Sequence, residues 1–522
     1  MNQISYTLRA TLAGFNGARG RRAKSPEDFY ELWLKFKIRK AKTPSIKRIV
    51  EEAIGNKAEV MRVIESFFQN RQNGRRYFPT KAFQKINKSL PKLGLNEKQI
   101  DLSEIKLSPD QEEILKLLQT SKTPIFLTGK AGTGKSLLLQ YFRQKSEKNI
   151  VVCAPTGVAA LNIGGQTIHS LFKIPPELIR KDSLKVDRRT AKLLKYVDVV
   201  IIDEISMVRP DLMDGIDYIL RKARNNTIPF GGVQLIMFGD LYQLPPVIQK
   251  DLKDYFEQTY GGNFFFNADV WKNIKFEIQE LTTVFRQKDE DFKLLLNAVR
   301  EGTITDKQLE ELNRRADAEI PDEGVIILTT INSSAKRINE TKLNLLEDKA
   351  YEHRAEITGL LDKTAFPTEE TLCLKKGAQI MLLRNDKERR WVNGTLGYIE
   401  SLDGKEITVN IDGKIHSVPK ETWKKIQYIL NETTNTLEEK VVSSFTQFPL
   451  KLAWAITIHK SQGQTYNSVA IDIGYGAFAH GQTYVALSRC RSLEGIYLNR
   501  EISREDIIVE SKIKDFMNLL GR

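Results

Sequence analysis

A glycine-rich segment that ends in lysine and serine has the composition and spacing of a phosphate-binding loop. Residues 129–136 read GKAGTGKS, follow the apolar run 125–128 and precede a predicted helix. Glycines let backbone N–H groups and a helix N-terminus approach phosphate oxygens. Lys135 can neutralise the β- and γ-phosphates, and the Ser136 hydroxyl can bind Mg²⁺. The segment therefore predicts a site for ATP and Mg²⁺.

Two adjacent carboxylates follow a second apolar run. Residues 197–202 are followed by Asp203 and Glu204. The carboxyl end of a buried strand is where ligands bind in open parallel sheets. Asp203 is expected to hold Mg²⁺ through water, and Glu204 to orient and deprotonate the attacking water. With the phosphate loop, this pair predicts ATP hydrolysis and leaves the use of its energy open.

Three more polar side chains are candidates for the same site. Gln243 lies in residues 239–247, GDLYQLPPV, directly after another predicted strand, where it can sense the γ-phosphate. Arg286 and Arg489 lie in a second α/β region, and each could reach across a cleft as an arginine finger when two domains close. On pattern alone, a surface position is the ordinary expectation for either arginine.

Two groups of hydroxyl, glycine, aromatic and basic residues follow predicted strands and suit a single DNA strand. Hydroxyls, backbone N–H groups and basic side chains contact phosphates, and aromatic rings stack on bases. For His169 and Phe172 the alternative is a place in the core. The candidates are Thr156, Gly157, Thr167, His169 and Phe172 in the first region and Thr457, His459, Lys460 and Ser461 in the second. One group in each domain is what a stepping motor needs.

Short apolar strands that alternate with helices predict an α/β fold with parallel sheets. Strands are expected at 125–128, 150–154, 197–203, 233–239, 325–329 and 469–473. The alternating residues 406–411, bounded by Asp-Gly pairs, predict a small antiparallel insertion. The predicted domains are residues 107–274, a second α/β domain made of 275–390 and 446–522, and the insertion 391–445.

The basic charge of the chain is concentrated near its beginning. Residues 1–100 hold 22 Lys and Arg against 8 Asp and Glu, which accounts for the whole net charge of +14. A capped helix is predicted after Ser25-Pro26, with helical runs at 44–54 and 57–70 and a turn at 73–74. This mainly helical, basic domain fits a helix-turn-helix module that contacts DNA, and equally three helices packed without a partner. Its first 26 residues, which lack acids, also fit a mitochondrial presequence.

Composition excludes several other classes of protein. With 41% hydrophobic and 28% charged residues the chain has an ordinary globular composition, and no run of about 18 apolar residues predicts a membrane span. Its three cysteines form no CxxC pair, so neither a disulfide framework nor a zinc site is expected. The protein is expected in the cytoplasm, associated with the nucleoid. If the source is eukaryotic, the expected location is the mitochondrion or the nucleus.

The order of these motifs resembles the complete motif series of superfamily 1 helicases. That series covers residues 107–111, 129–136, 154–160, 203–206, 239–247, 285–287, 457–465 and 485–491. Residues 219–247 and 391–397 are similar to segments that mark the Pif1 family within that superfamily. The resemblance spans about 107–500 of this sequence.

The Pif1 resemblance implies an architecture and a set of site residues. It implies two RecA-like domains, 1A and 2A, and an SH3-like 2B domain in the insertion. The basic run at about 173–190 fits a 1B wedge that separates the strands, and equally a solvated loop. The resemblance also implies that Gln111 contacts adenine. The residues implied around the nucleotide are Gly132, Thr133, Gly134, Lys135, Ser136, Asp203, Glu204, Gln243, Arg286, Gly463 and Arg489.

The resemblance also implies an activity. Members of the family translocate 5′ to 3′ on single-stranded DNA and unwind forked duplexes, and often RNA–DNA hybrids and G-quadruplexes. A monomeric motor in DNA replication, repair, recombination and telomere maintenance is the implied role. Two other functions fit many of the same residues: a DNA-stimulated ATPase switch without unwinding, and a RecD-like helicase, against which residues 219–247 argue. A nuclease is not expected, since no second carboxylate cluster has metal-ligand spacing.

Overall fold

The computed structural model describes residues 25–39, 57, 60–61, 64–65, 106–403 and 406–519. The chain divides into two compact units, residues 1–100 and 101–522. In the first unit, helix α1 (Pro26–Arg39) begins after Ser25, whose hydroxyl accepts a hydrogen bond from the backbone N–H of Asp28 at 3.1 Å. Phe29 and Trp33 are buried, as their helical spacing predicts. The predicted runs 44–54 and 57–70 lie wholly or mostly outside the described residues, as do the turn at 73–74 and the first 24 residues.

The first α/β domain of the second unit is built on a six-stranded sheet. Its strands are β1 (Ile125–Gly129), β2 (Ile150–Ala154), β3 (Gln166–Thr167), β4 (Val199–Ile202), β5 (Gln234–Phe238) and β6 (Glu277–Leu281). Its helices are α2 (Pro109–Thr120), α3 (Lys135–Lys145), α4 (Gly157–Asn162), α5 (Ile168–Phe172), α6 (Arg188–Lys195), α7 (Pro210–Arg224) and α8 (Lys253–Tyr260). The order β3-β2-β4-β5-β1-β6 is parallel throughout, which confirms the predicted fold class.

Successive residues of these strands enter two different cores, because side chains alternate across a sheet. Val200 and Ile202 pack in one core with α5, α6 and α7, while Val199 and Ile201 pack in the other with α2, α3 and α4. Burial on both faces explains why these strands are continuous apolar runs in the sequence. Cys153, in β2, is a free, buried thiol of the same sheet.

Helix α7 holds the loops around it through three buried carboxylates spaced one helical turn apart. Asp211 accepts the backbone N–H of Ile179 at 3.0 Å, Asp214 that of Val270 at 3.0 Å, and Asp217 that of Phe230 at 2.6 Å. The first of these loops lies in the predicted wedge, residues 173–190. Three apolar side chains of that segment are buried in the first domain, so it is packed against α7.

The second α/β domain has a four-stranded parallel sheet in the order β18-β7-β19-β20. Its strands are β7 (Ile326–Thr329), β18 (Ala455–Thr457), β19 (Val469–Asp472) and β20 (Ile496–Leu498). Its helices are α9 (Glu290–Glu301), α10 (Asp306–Asn313), α11 (Asn332–Leu345) and α12 (Gln482–Leu487). Within the described ranges, no helix has the length and apolar character that crossing a bilayer requires.

Antiparallel strands form the insertion between α11 and β18. They are β8 (Tyr351–Arg354), β9 (Glu356–Thr358), β10 (Thr371–Leu374), β11 (Gln379–Leu382), β12 (Leu396–Leu402), β13 (Ile407–Ile411), β14 (Lys414–Val418), β15 (Glu421–Asn431), β16 (Thr436–Gln447) and β17 (Leu450–Leu452). Five of them form the sheet β14-β13-β12-β11-β17. The predicted insertion, 391–445, is too short, because β11 pairs with both β12 and β17 and so belongs to this sheet.

Two predicted limits of the α/β domains also differ from the structure. Strand β6 lies beyond residue 274 yet pairs with β1 along five residues, so it completes the first sheet. The last helix, α13 (Ser511–Leu519), places Ile513 and Met517 in the core of the first domain. Its Phe516 ring stacks on Phe266 with centroids 4.1 Å apart. Residues 446–522 therefore do not all belong to the second domain.

Candidate functional site

The phosphate-binding loop curves around the ammonium group of Lys135 at the carboxyl edge of the first sheet. Lys135, the first residue of α3, donates hydrogen bonds to the carbonyl oxygens of Gly129 at 2.5 Å and Lys130 at 3.1 Å. Gly132 and Gly134 have φ of +85° and +81°, a region that favours glycine. The loop therefore has the conformation in which its backbone N–H groups can surround an anion.

Two other segments brace this loop. The Gln111 side chain donates to the carbonyl oxygen of Thr133 at 3.1 Å and accepts from the backbone N–H of Ser108 at 3.1 Å. The backbone N–H of Phe285 donates to the carbonyl oxygen of Gly132 at 3.0 Å. A Cβ on Gly132 would lie 2.5 Å from that of Arg286, so the two segments are in close contact. Gln111 thus supports the loop, and its predicted adenine contact stays a prediction.

Asp203 and Glu204 follow β4 and lie close to Lys135. Burial raises the pKa of both carboxyl groups, and the charge of Glu204 raises that of Asp203 further. Lys135 opposes both shifts, while burial lowers the pKa of its own ammonium group. Glu204 has a left-handed backbone with φ of 51°, a conformation that non-glycine residues hold mainly at functional sites. A buried carboxylate with a raised pKa suits the acceptance of a proton near neutral pH.

The oxygen donors expected for Mg²⁺ are present at this edge. Ser136 is an exposed residue in the first turn of α3, and Asp203 directly follows β4 of the same sheet. Among the described residues no group of three or more His, Cys, Asp or Glu could hold a metal ion. Mg²⁺ in phosphate sites commonly uses one or two protein oxygens together with phosphates and water. Ser136 and Asp203 therefore fit that ion.

The two predicted arginine fingers meet at Ser488 in the second domain. Arg286 donates to the Ser488 carbonyl oxygen at 2.9 Å, and Arg489 donates to the Ser488 hydroxyl at 2.8 Å and to the Val485 carbonyl oxygen at 2.9 Å. Burial, together with the charge of Arg489, lowers the pKa of Arg286 to about 9. Gly463 has φ of +76° and open space beside it. The structure thus brings the arginines together at one place.

In the first domain, the candidate DNA-contacting hydroxyls cap short helices after β2 and β3. Thr156 and Thr167 accept the backbone N–H groups of Ala159 and Ser170, both at 3.2 Å. Gly157 lies against the insertion, since a Cβ on it would be 2.7 Å from that of Ala365. His169 is bonded to the Ile174 carbonyl oxygen at 3.1 Å, and burial lowers its pKa.

The second group of candidates follows β18. Thr457 accepts the backbone N–H of Lys460 at 3.4 Å, and the Lys460 side chain is exposed. His459 is half-buried, and burial lowers its pKa. Thr457, His459 and Lys460 thus lie together at the carboxyl edge of the second sheet, which corresponds to the position of Thr156 in the first.

Two predicted DNA contacts are wrong for this structure. Phe172 is fully buried in the core of the first domain, so its ring has no face free for a base. Ser461 is also fully buried, and its hydroxyl donates to the Ile458 carbonyl oxygen at 2.7 Å. Both side chains support the backbone of their segments instead of facing solvent. For Phe172, the core alternative is the one that the structure bears out.

Comparisons with known proteins agree on one family. Residues 106–310 match the model of PIF1-like helicases, and residues 361–402 match that of the Pif1 2B domain. The ATP-dependent DNA helicase Pif1 of Bdellovibrio bacteriovorus is 35% identical over 79% of this chain and 92% of its own length. The chain belongs to the Pif1 helicase family. It is therefore an ATP-dependent DNA helicase, and the antiparallel insertion contains the 2B domain of that family.

Two solved Pif1 structures resemble this helicase to different degrees. Bacteroides sp Pif1 in complex with ADP-AlF4 is 40% identical, with a TM-score of 0.75 over 80% of this chain and 98% of that chain. Bacteroides Pif1 bound to single-stranded DNA is 41% identical, with a TM-score of 0.59 over 80% and 97% of the two chains. The structure described here thus superposes better on the complex with ADP-AlF4 than on the complex with single-stranded DNA.

The helicase also has site residues that sequence reasoning missed. Tyr484 of α12 accepts the backbone N–H of Ala131, in the phosphate-binding loop, at 3.1 Å. Arg300 of α9 forms a buried ion pair of 3.0 Å with Asp240, which follows β5. Asp240 in turn accepts the side-chain N–H of Gln243 at 3.2 Å. An arginine in the last turn of a helix is ordinary, because it complements the helix dipole, so the sequence carried no signal for Arg300.

Proposed function

We propose that this helicase moves 5′ to 3′ along single-stranded DNA and unwinds forked duplexes, and that RNA–DNA hybrids and G-quadruplexes are further substrates. One observation carries this proposal. The ATP site lies between two domains with parallel sheets, and each domain has a group of candidate DNA-contacting residues at the carboxyl edge of its sheet. The polarity rests on the family resemblance. A monomeric motor that serves genome maintenance is the corresponding role.

The ATP site is assigned residue by residue. Lys135 and the N–H groups of residues 132–136 hold the phosphates, and Gln243 senses the γ-phosphate. Ser136 and Asp203 would hold Mg²⁺, which supplies positive charge to the phosphate oxygens. Glu204 accepts the proton of the attacking water, and its raised pKa supports this role. Arg489 enters from the second domain, and Arg286 from the segment between β6 and α9; both stabilise the charge that develops on the transferred group.

The grips on DNA are assigned to seven residues. Phe172 and Ser461 are left out, because both side chains are fully buried, whereas Thr457 keeps 4% of its surface exposed. Hydroxyl and backbone N–H groups of this kind contact phosphates in most protein–DNA complexes. If the two grips release in turn as the domains close and reopen, the helicase advances along one strand. The remaining candidates are Thr156, Gly157, Thr167 and His169 in the first domain and Thr457, His459 and Lys460 in the second.

The N-terminal unit is proposed to add affinity for DNA. It holds 22 basic and 8 acidic residues. Basic side chains that contact the phosphates of a duplex would release counterions from it. Replacement of Arg19, Arg21 and Arg22 by glutamine in the full chain is expected to weaken binding and to flatten its dependence on salt. An unchanged slope of log Kd against log salt would contradict this role.

The deciding experiment is ATP- and Mg²⁺-dependent unwinding of duplexes that carry only a 5′ or only a 3′ single-stranded tail. The control is the variant Lys135→Ala, which is expected not to hydrolyse ATP. Unwinding confined to 5′-tailed duplexes is expected, and unwinding confined to 3′-tailed duplexes would refute the polarity. Parallel RNA–DNA and G-quadruplex substrates test the wider range. DNA-stimulated ATP hydrolysis without unwinding of any substrate would favour a switch over a motor.

A further inference from the structure

A buried ion pair crosses from the second α/β domain to the first beside the ATP site. Arg300, in the last turn of α9, is 4% exposed, and its Nη2 lies 3.0 Å from Oδ1 of Asp240. Its guanidinium carbon lies 4.1 Å from the centroid of the Tyr242 ring. Removing one member of a buried ion pair leaves an uncompensated charge, so such a contact holds its two elements in register.

Asp240 connects this arginine to groups that act on ATP. Its Oδ2 accepts the Gln243 side-chain N–H at 3.2 Å, and its Oδ1 accepts the backbone N–H of Tyr242 at 3.2 Å. Burial opposes the ionisation of Asp240, yet Arg300 and Lys135 outweigh burial and hold its pKa below the usual value. One carboxylate therefore faces the second domain, the γ-phosphate sensor and the phosphate-binding lysine.

Arg300 shares its chain segment with the arginine that completes the site. Helix α9 begins three residues after Gln287, whose side chain donates to the carbonyl oxygens of Ser488 at 3.2 Å and Cys490 at 2.8 Å. Arg286, the preceding residue, donates to the same Ser488 carbonyl oxygen. Because these contacts join the start of α9 to the segment that carries Arg489, a movement of the second domain displaces Arg300 together with Arg489.

We propose that Arg300 is a positioning residue for ATP hydrolysis, which transmits the position of the second domain to Gln243 through Asp240. The inference rests on the proposed role of Gln243 as sensor. Nε of Arg300 is buried and has no hydrogen-bond partner among the described residues, so the guanidinium group keeps a donor for a second arrangement. When the domains are misaligned, the Asp240 carboxylate and the Gln243 amide that it orients are displaced, and hydrolysis slows.

The test compares the full-length helicase with Arg300→Met, Asp240→Asn and the double variant in DNA-stimulated ATP hydrolysis. Misplacement of a reacting group costs up to about 100-fold in rate, so Arg300→Met is expected to lower kcat roughly 10- to 100-fold while KM for ATP changes less than about threefold. The double variant is expected to be no slower than the slower single variant, because both changes break the same connection. Arg300→Lys, which keeps the charge, should recover part of kcat.

The control is Arg315→Met. This second-domain arginine also lies over a tyrosine ring, Tyr497, at 5.3 Å and donates to the Ile496 and Glu494 carbonyl oxygens, away from the ATP site. It is expected to lower the unfolding temperature and leave kcat unchanged. A folded Arg300→Met enzyme with wild-type kcat, rate losses that multiply in the double variant, or an equal loss in Arg315→Met would each overturn the proposal.

Two further outcomes keep the test decisive. If Arg300→Met does not fold, the double variant, which leaves no unpaired charge, replaces it: low kcat supports the proposal and wild-type kcat overturns it. Gln243→Ala separates the inference from the function on which it rests. Full activity of Gln243→Ala would overturn both the sensor role and the proposed role of Arg300. If Gln243→Ala is inactive but Arg300→Met is active, only the role of Arg300 is overturned.

Discussion

Replacing Tyr428 by phenylalanine should make this helicase bind single-stranded DNA more tightly. Tyr428 lies on β15, in the hairpin of the insertion, and its hydroxyl accepts the backbone N–H of Val152 in β2 at 3.0 Å. Both residues are buried. The same insertion lies on Gly157, one of the proposed grips, through Ala365. The hairpin contact therefore belongs to an arrangement in which the insertion covers part of the proposed DNA path.

The size of the effect follows from one hydrogen bond. With phenylalanine at 428, the Val152 N–H stays buried without an acceptor while the hairpin is docked, which costs about 1–3 kcal/mol. Once the hairpin leaves, water satisfies that group, so only the docked arrangement loses stability. About 1–2 kcal/mol, the lower part of that range, corresponds to roughly 5- to 30-fold in an equilibrium. If the docked arrangement predominates without DNA, Kd for single-stranded DNA should fall by up to that factor.

Fluorescence anisotropy with a labelled oligothymidine measures this Kd directly. The matched control is Tyr398→Phe, which removes another hydroxyl from the insertion. Tyr398 donates to the Gln379 side chain at 3.1 Å and accepts the backbone N–H of Gly324, so it makes no contact with the first domain through that group. Tyr428→Phe should tighten binding and Tyr398→Phe should not. Unchanged or weaker binding by Tyr428→Phe would refute competition between the docked hairpin and DNA.

Other substitutions test the site directly. Glu204→Gln should bind ATP and DNA but lower kcat by about 10²- to 10⁴-fold in a phosphate-release assay; near-normal turnover would exclude Glu204 as the base. Because burial raises the pKa of Glu204 above 4.5 and the base acts only when deprotonated, wild-type kcat should fall with decreasing pH before pH 4.5 is reached; an acid limb at or below that pH would contradict the shift. Phe172→Leu should lower the free energy of unfolding by about 1–2 kcal/mol without changing DNA affinity; weaker DNA binding at unchanged stability would restore the predicted base contact. Gly132→Ala should abolish ATP binding, because the new Cβ would lie 2.5 Å from that of Arg286, whereas Gly261→Ala, with a similar φ of +70° and no neighbour within 4 Å, should not.

Features that depend on residues close together in the sequence could be predicted before the structure was known. The phosphate-binding loop depends on glycines, a lysine and a serine that are close together in sequence, and the structure places them from the end of β1 to the first turn of α3. Strand β2 has the predicted limits of 150 and 154. Strands buried on both faces are continuous apolar runs, which a sequence displays directly. Motif order then identified the family, because each motif is short and contiguous.

Contacts between residues far apart in the sequence could not be predicted. The ion pair between Arg300 and Asp240 joins residues 60 positions apart, and neither residue type nor spacing marks it. Strand β6 was assigned to the wrong domain because its partner, β1, lies more than 140 residues earlier. Phe172 and Ser461 are residue types that can contact DNA, yet the chain after β3 and after β18 directs these two side chains inward.

The amino-acid sequence thus specified the chemistry of the phosphate site, the parallel α/β class and the helicase family, since all three depend on residues close together along the chain. The packed structure added which arginine reaches Asp240, which candidate DNA contacts are exposed, and where the hairpin of the insertion docks. Those properties arise from side chains brought together by long-range packing, and burial there depends on every segment that covers a residue.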